Sequence, residues 1–351
     1  MTTDAYFDMR NLASPTGEPG SCPVSGCAAP LRKVDSQWGK MPYCPEHRIR
    51  IHAGTRTFVY HNGPNEPSKR NPALRNILFE RDYFEKHILG NAAKAETHRI
   101  CHETSEDALT WNVFSRLASG GMLPTLLSTL TGLSLKNAPE LYLWGLHVRL
   151  HDSSKPASNA PVYLALKCAR DIFENDIKKF KTEPDIMLYV PEQLLVLVEA
   201  KFTSGNTIAS ASVTHDVTDE KPKSREGILG RYELPEQLRD TLLAPSSSGP
   251  FYSQLYRNLV FAIYMANKLD VRWGLVNLVC KGQFDQRQNK VEFQDPTEYI
   301  HALLPEKSRD QFLFYSWERL YADHVAIATE LKDLAEYMYN KSANGVKALA
   351  V

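Results

Sequence analysis

The chain has 351 residues, 43% of them hydrophobic and 23% charged, a balance that excludes wholesale disorder and gives material for roughly two domains with a sizeable core. Its 41 basic and 41 acidic residues cancel, so no global field draws it to nucleic acid or to an anionic membrane, and any polyanion site has to be a local patch. The longer aliphatic runs, such as 194–198, fall far short of the ~20 residues of a spanning helix, and the first 21 residues carry acids where a secretory leader is basic and apolar, so a cytoplasmic protein is expected.

Residues 1–21 are rich in Pro, Gly, Ser and Thr and read as a flexible arm. Residues 22–65 read as a small metal-binding module, because three of the six cysteines fall in the first 44 positions, and clustered thiols in a reducing compartment more often bind metal than pair. Four residues lie between Cys22 and Cys27, two between Cys44 and His47, and sixteen between the pairs. Three thiolates and one imidazole make a closed tetrahedral set for a structural Zn²⁺, with prolines and glycines in "SCPVSGC" and "PYCPEH" suiting ligand-bearing turns. The stretch "HRIRIHAGTRTFVYH" that follows interleaves Arg48, Arg50 and Arg56 with Phe58 and Tyr60, a pattern that suits phosphate contact and base stacking; a solvated basic strand is the alternative. Residues 66–99 form a helical connector, with one helix over 71–90 ending at a Gly90 C-cap. His98, Cys101 and His102 at its end are a second metal candidate, with an incidental cluster as the alternative.

From 100 to 351 the two periodicities alternate as in an α/β domain. A helix is expected over 105–118, a strand over 140–150, a helix over 163–180, strands over 185–190 and 194–201, a helix at about 251–268, a strand over 272–280 and helices towards the C-terminus. Residues 203–231 have no apolar period and read as a long loop, and Cys168 and Cys280 read as core. Glu103 and Glu106 flank the N-cap candidates Thr104 and Ser105; either they complement the helix dipole or Glu106 faces a metal site.

The segment "PDIMLYVPEQLLVLVEAK", 184–201, combines two apolar strands with charges at its ends. An antiparallel hairpin turning at Glu192 pairs residues whose numbers sum to 384, which sets Asp185 opposite Glu199, while Glu199 and Lys201 share a strand face two positions apart. Opposed carboxylates repel and are expected to share a cation as their only buried partner; oxygen ligands of this kind suit Mg²⁺ or Mn²⁺. The adjacent lysine can orient a water or a phosphate.

Pro184-Asp185, thirteen intervening residues and then Glu199-Ala200-Lys201 resemble the signature of the PD-(D/E)XK nuclease superfamily, and the order helix, three strands, helix, strand over roughly 100–285 extends the resemblance. It implies a restriction-endonuclease-like mixed sheet flanked by helices. It also implies Mg²⁺ held by Asp185, Glu199 and the Ala200 carbonyl, Lys201 positioning the attacking water, and a glutamine such as Gln254 on the following helix; the tyrosine four positions later in one branch of the superfamily is Asn258 here. The implied activity is phosphodiester hydrolysis, of DNA more than RNA, in a restriction or defence-like role, with a homodimer compatible. Two rival readings are a non-catalytic nucleic-acid-binding protein on an inactive nuclease fold and a protein-interaction effector.

Overall fold

The structure is a computed structural model and describes residues 21–24, 26–36, 39–52, 57–61, 70–89, 99–150, 160–178, 181–210, 220–246, 249–343 and 346–347. The chain forms two compact units: Met1–Gly120 together with Trp317–Val351, and Gly121–Ser316. This division differs from the one expected from composition, with borders at 65 and 99: the connector, the helix expected over 105–118 and the C-terminal helices all group with the cysteine-rich segment.

In the first unit, β1 (Arg32–Ser36), β2 (Gly39–Cys44), β3 (Ile49–Ile51) and β4 (Phe58–Tyr60) form an antiparallel sheet in chain order. Val34, Met41, Tyr43, Ile49, Ile51, Phe58 and Tyr60 are buried, so the segment is a packed sheet and more than a set of ligand turns. The single helix expected over 71–90 is broken into α1 (Arg70–Arg75) and α2 (Arg81–Tyr83), the latter running into a π-turn at Phe84–Ile88. The break has a clear cause: Asn76 donates from Nδ2 to the Ile100 and His102 carbonyls at 2.7 and 2.6 Å. Asn112 Oδ1 accepts from Leu78 N at 2.8 Å, so side-chain amides replace the helical partners, and Glu80 turns into the left-handed region at φ 51°. Gly90 lies outside the described residues. α3 (Glu106–Ser119) starts where expected, with Ser105 Oγ accepting from Ala108 N at 3.2 Å.

The second unit opens with α4 (Leu123–Thr131), a helix not anticipated above, which ends at Gly132 in the left-handed region. The expected strand over 140–150 is a hairpin of β5 (Glu140–Leu143) and β6 (Leu146–Val148). Trp144 and Gly145 both have positive φ, 51° and 78°, as a two-residue primed turn requires. α5 (Pro161–Phe173) stops seven residues short of the expected end. Its buried face holds Ala165, Leu166, Ala169 and Phe173; Leu164, Cys168 and Ile172 recur at i+4 on the exposed face, so Cys168 is a surface thiol and not a core residue. Cys280 is buried as expected.

β7 (Ile186–Val190) and β8 (Leu194–Lys201) pair as Ile186↔Val198 through Val190↔Leu194, the register expected from a turn at Glu192, whose φ is 59°. All eight residues of β8 are buried, which fits a central strand covered on both faces. Part of the expected loop is ordered structure: Ile208 and Ser210 form bridges to Tyr252 and Ser224, and Ser224 caps α6 (Arg225–Arg231). α7 (Ser253–Leu269) then returns the chain to β9 (Arg272–Val279), parallel to β8. After α8 (Lys281–Arg287) and α9 (Thr297–Ala302), β10 (Phe312–Ser316), which the sequence reading missed, adds a parallel edge.

The result is a six-stranded mixed sheet of order β10-β9-β8-β7-β5-β6 flanked by helices. α5 and α7 pack on the sheet face that presents Tyr142, Met187, Tyr189, Leu195, Leu197 and Leu275. Strand alternation carries that same face on to Asp185, Glu199 and Lys201, so apolar packing gives way to charge at the carboxyl end of β8. No helix among the described residues is long and apolar enough to cross a membrane.

Candidate metal centre and candidate active site

The two clusters of chemistry-bearing residues lie in different units. In the first unit the structure brings together the four sequence-predicted ligands: Cys22 and Cys27 flank a tight turn in which Cys27 N donates to the Val24 carbonyl and Gly26 has φ 75°, while Cys44 ends β2 and His47 sits in the turn that follows. Their ligand atoms all lie within 4.8 Å of one another. Cys27 Sγ is 3.8 Å from Cys44 Sγ, and His47 Nδ1 is 3.5 Å from Cys44 Sγ and 3.6 Å from Cys22 Sγ. A tetrahedral ion with bonds of ~2.3 Å to sulfur and ~2.0 Å to nitrogen has edges of about 3.8 and about 3.5 Å, which these three distances match, so the cluster could hold a zinc ion. Burial raises the Cys22 and Cys27 thiols, with neighbouring sulfur charge adding to it, and burial lowers His47 towards its neutral, ligating form.

Of the arginines beside this cluster, Arg48 is exposed at a positive-φ turn position, and its carbonyl accepts from Arg75 and from His61 N. Arg50 is half-buried on β3, opposite Val59, with burial lowering its pKa. Arg56 and His98 lie outside the described residues. Glu106 is the first residue of α3, and Glu103, buried, has its carbonyl engaged by Lys341 Nζ at 2.5 Å; both acids belong to the first unit.

In the second unit Glu199 has no solvent exposure and Lys201 is 6% exposed. Lys201 Nζ donates to Glu199 Oε1, and Asn258 Nδ2 on α7 donates to Glu199 Oε2 at 2.7 Å. One turn earlier on the same helix face, Gln254 Oε1 accepts from Lys201 Nζ at 3.4 Å and from Thr207 Oγ1 at 3.1 Å. Asp185, one residue before β7, stands at the register position opposite Glu199, and its Oδ2 accepts from Ala200 N at 2.9 Å. Asp185, Glu199, Ala200, Lys201 and Gln254 therefore converge as expected. The expectation that the two acids have a cation as their only buried partner does not hold: Glu199 is paired with Lys201 and Asn258, and Asp185 is bonded to a backbone amide.

Four residues near the cluster escaped the sequence reading. Asn277 on β9 and Asn206 exchange amide hydrogen bonds of 2.9 and 3.1 Å, and Asn277 Nδ2 also donates to the Glu199 carbonyl at 3.4 Å. Asn206 N donates to the Glu292 carbonyl at 2.7 Å, an approach that only a glycine at 205 permits, since a Cβ there would lie 2.5 Å from that oxygen. Glu174, fully buried at the end of α5, accepts from Thr182 N and from Tyr232 OH, each at 2.6 Å, and from Thr182 Oγ1, which fixes the approach to Asp185. The fourth, Lys221, is half-buried within electrostatic reach of Glu199. The visible signal for Asn277 was its single polar position inside the apolar run "RWGLVNLVC", where an amide needs a partner; Asn206, in a polar stretch, carried no such signal.

No family model, no curated protein and no solved structure matches the chain.

Among the described residues each Glu199 oxygen carries one hydrogen bond, and a carboxylate oxygen can accept a second partner. Without a divalent cation, Lys201 is the charge that balances a buried acid.

Purified protein is expected to contain about one zinc per chain by elemental analysis, falling towards none in Cys44→Ser with loss of the β1–β4 sheet while the second unit stays folded. Zinc-free wild-type protein with an intact sheet contradicts this. For the second cluster, Lys201→Ala in the presence of EDTA is expected to lower folding stability by about 3 kcal/mol, because it strands a buried carboxylate. Adding Glu199→Gln to it is expected to cost much less than in the wild-type background in urea unfolding; strictly additive losses contradict the pairing.

Proposed function

We propose that the second unit is a metal-dependent nuclease of the PD-(D/E)XK type that hydrolyses phosphodiester bonds, of DNA more than of RNA. The observation that carries this reading is the convergence of Asp185, Glu199 and Lys201 on one sheet face, in the expected register, with Gln254 of the following helix bonded to the lysine. The neighbouring order β5-β7-β8-β9, antiparallel up to β8 and parallel beyond it, with α7 as the crossover, supports a restriction-endonuclease-like core. So does the position of the cluster at the carboxyl end of a parallel strand pair, where open α/β sheets bind ligands.

In this reading Asp185, Glu199 and the Ala200 carbonyl hold Mg²⁺ or Mn²⁺, which when bound polarises the phosphate and makes water more acidic. The remaining work is done by side chains already in place. Glu199 and Gln254 fix the direction of the Lys201 ammonium, so its charge is oriented before substrate arrives and can meet the water or the negative charge that grows on the phosphate oxygens. Asn258 holds the second oxygen of Glu199, which keeps the carboxylate that orients Lys201 in one rotamer. Asn277, through the Glu199 carbonyl, ties the same residue to β9. The zinc cluster supports a structural role for its own sheet, and Arg48 and Arg50 beside it are proposed as backbone-phosphate contacts. A restriction or defence-like role and a cytoplasmic location go with the reading.

Incubation with plasmid or with RNA and Mg²⁺ is expected to give cleavage that EDTA abolishes. Asp185→Asn, Glu199→Gln and Lys201→Ala are each expected to lower the rate by at least ~100-fold, with folded second units checked by circular dichroism. A fully active Asp185→Asn protein contradicts the assignment.

A further inference from the structure

Beside the candidate active site lie two cations that the catalytic reading does not use. Arg257 follows Gln254 by three positions on α7, which places it one helical step from the side chain that accepts from Lys201. Lys221 approaches from the strap between β8 and α7, three residues before the Ser224 cap that the Ser210 bridge anchors. Lys221 lies within electrostatic reach of Arg257, Glu174, Glu183 and Glu199. Both cations are half-buried, and among the described residues neither has a hydrogen bond or an ion pair.

The nearby acids do not supply the missing partner, because each is already engaged. Glu174 takes three donors from Thr182 and Tyr232; Glu183 faces Arg170 at 3.6 Å; Glu199 holds Lys201 and Asn258; Asp185 accepts from Ala200 N. Two adjacent cations partly withdrawn from water, with no hydrogen-bonded or ion-paired acid among the described residues, are unfavourable for the empty protein: burial first, and Arg257 second, push Lys221 down to about 8 against the more distant pull of Glu174, Glu183 and Glu199. Such a cost is characteristic of a site built for a ligand that brings the opposite charge.

We propose that Lys221 and Arg257 form a phosphate subsite next to Glu199 that receives a backbone phosphate of the nucleic acid. The identity of the anion as a nucleic-acid phosphate rests on the nuclease reading; the presence of an anion subsite does not. Arg257 presents a planar fork suited to two phosphate oxygens, and Lys221 a point charge that closes on a third. The subsite would hold the strand against the sheet face on which Asp185, Glu199 and Lys201 converge. It also places positive charge where a chain of zero net charge otherwise offers no long-range attraction to a polyanion.

The experiment uses the full chain in EDTA, where no hydrolysis occurs, and a fluorescein-labelled DNA duplex as probe over a range of salt. Lys221→Met and Arg257→Met are each expected to weaken binding about equally for unrelated sequences and to lower the log–log salt slope by about one, while Lys221→Arg retains most of the affinity. Removing an uncompensated cation is expected to leave the melting temperature of Lys221→Met unchanged or raised. Unchanged affinity and slope in folded Lys221→Met overturn the subsite even if the protein cleaves DNA; loss of slope in a protein that cleaves nothing keeps the subsite and removes the nuclease reading. Should the variants not fold, acylation of the unaltered protein at pH 8, mapped by mass spectrometry, decides the matter. Saturating duplex is expected to block labelling of Lys221, and labelling that duplex does not change overturns the proposal.

Discussion

A carboxylate without solvent exposure in the central strand of a sheet sets the terms for the second unit. Glu199 is flanked on its own strand by fully buried aliphatic residues and cannot be hydrated, so fixed donors have to surround it. Lys201 lies on the same face because strand residues two apart always do; Asn258 comes from α7, and Asn277 reaches the backbone of Glu199 from the neighbouring parallel strand. Every element around the cluster is thereby constrained. α7 must present Asn258 and Gln254 one turn apart, β9 must run parallel in the register that sets Asn277 beside Glu199, and the strap after β8 must bring Asn206 to Asn277. Apolar packing between α5, α7 and the sheet supplies the bulk of the burial.

What the sequence made legible follows from local rules. The β7–β8 register could be read because a tight turn at Glu192 fixes the pairing on both sides of it, and a slip of one residue would have moved Met187, Tyr189, Leu195 and Leu197 to the wrong face. The four zinc-type ligands could be read because short spacings force ligand atoms into neighbouring turns. The missed features depend on partners distant in sequence. Asn76 and Asn112 break a helix that periodicity alone would continue to residue 90, and Trp144 at positive φ folds one expected strand into two. The β10 strand is half-buried at a sheet edge, and its run "FLFYS" has no alternation to mark it. Lys221 sits in a polar stretch that reads as loop, and only the fold brings it near Glu199.

The cysteine-rich sheet obeys a different constraint. Its strands are three to six residues long, so even with its buried side chains apolar burial alone gives such a small sheet little independent stability. The Cys22–Cys27 turn and the Cys44–His47 turn close on one another at edges that match a tetrahedral ion, and a metal there would tie the segment preceding β1 to the β2–β3 connection. Burial first, and then mutual repulsion of the sulfurs, raises the Cys22 and Cys27 thiols, a cost that a bound divalent cation would relieve.

The central claim, that Asp185 and Glu199 form one cation site on a prearranged sheet face, is tested most directly by locating the cation. Crystals of the full chain soaked in Mn²⁺ are expected to give a single anomalous peak in the second unit, within coordination distance of ~2.1–2.3 Å from carboxylate oxygens of both Asp185 and Glu199, and absent from Glu199→Gln crystals. A Mn²⁺ peak that contacts neither acid, or one that persists unchanged in Glu199→Gln, would contradict it and leave the Glu199–Lys201 pair as a structural element of the sheet.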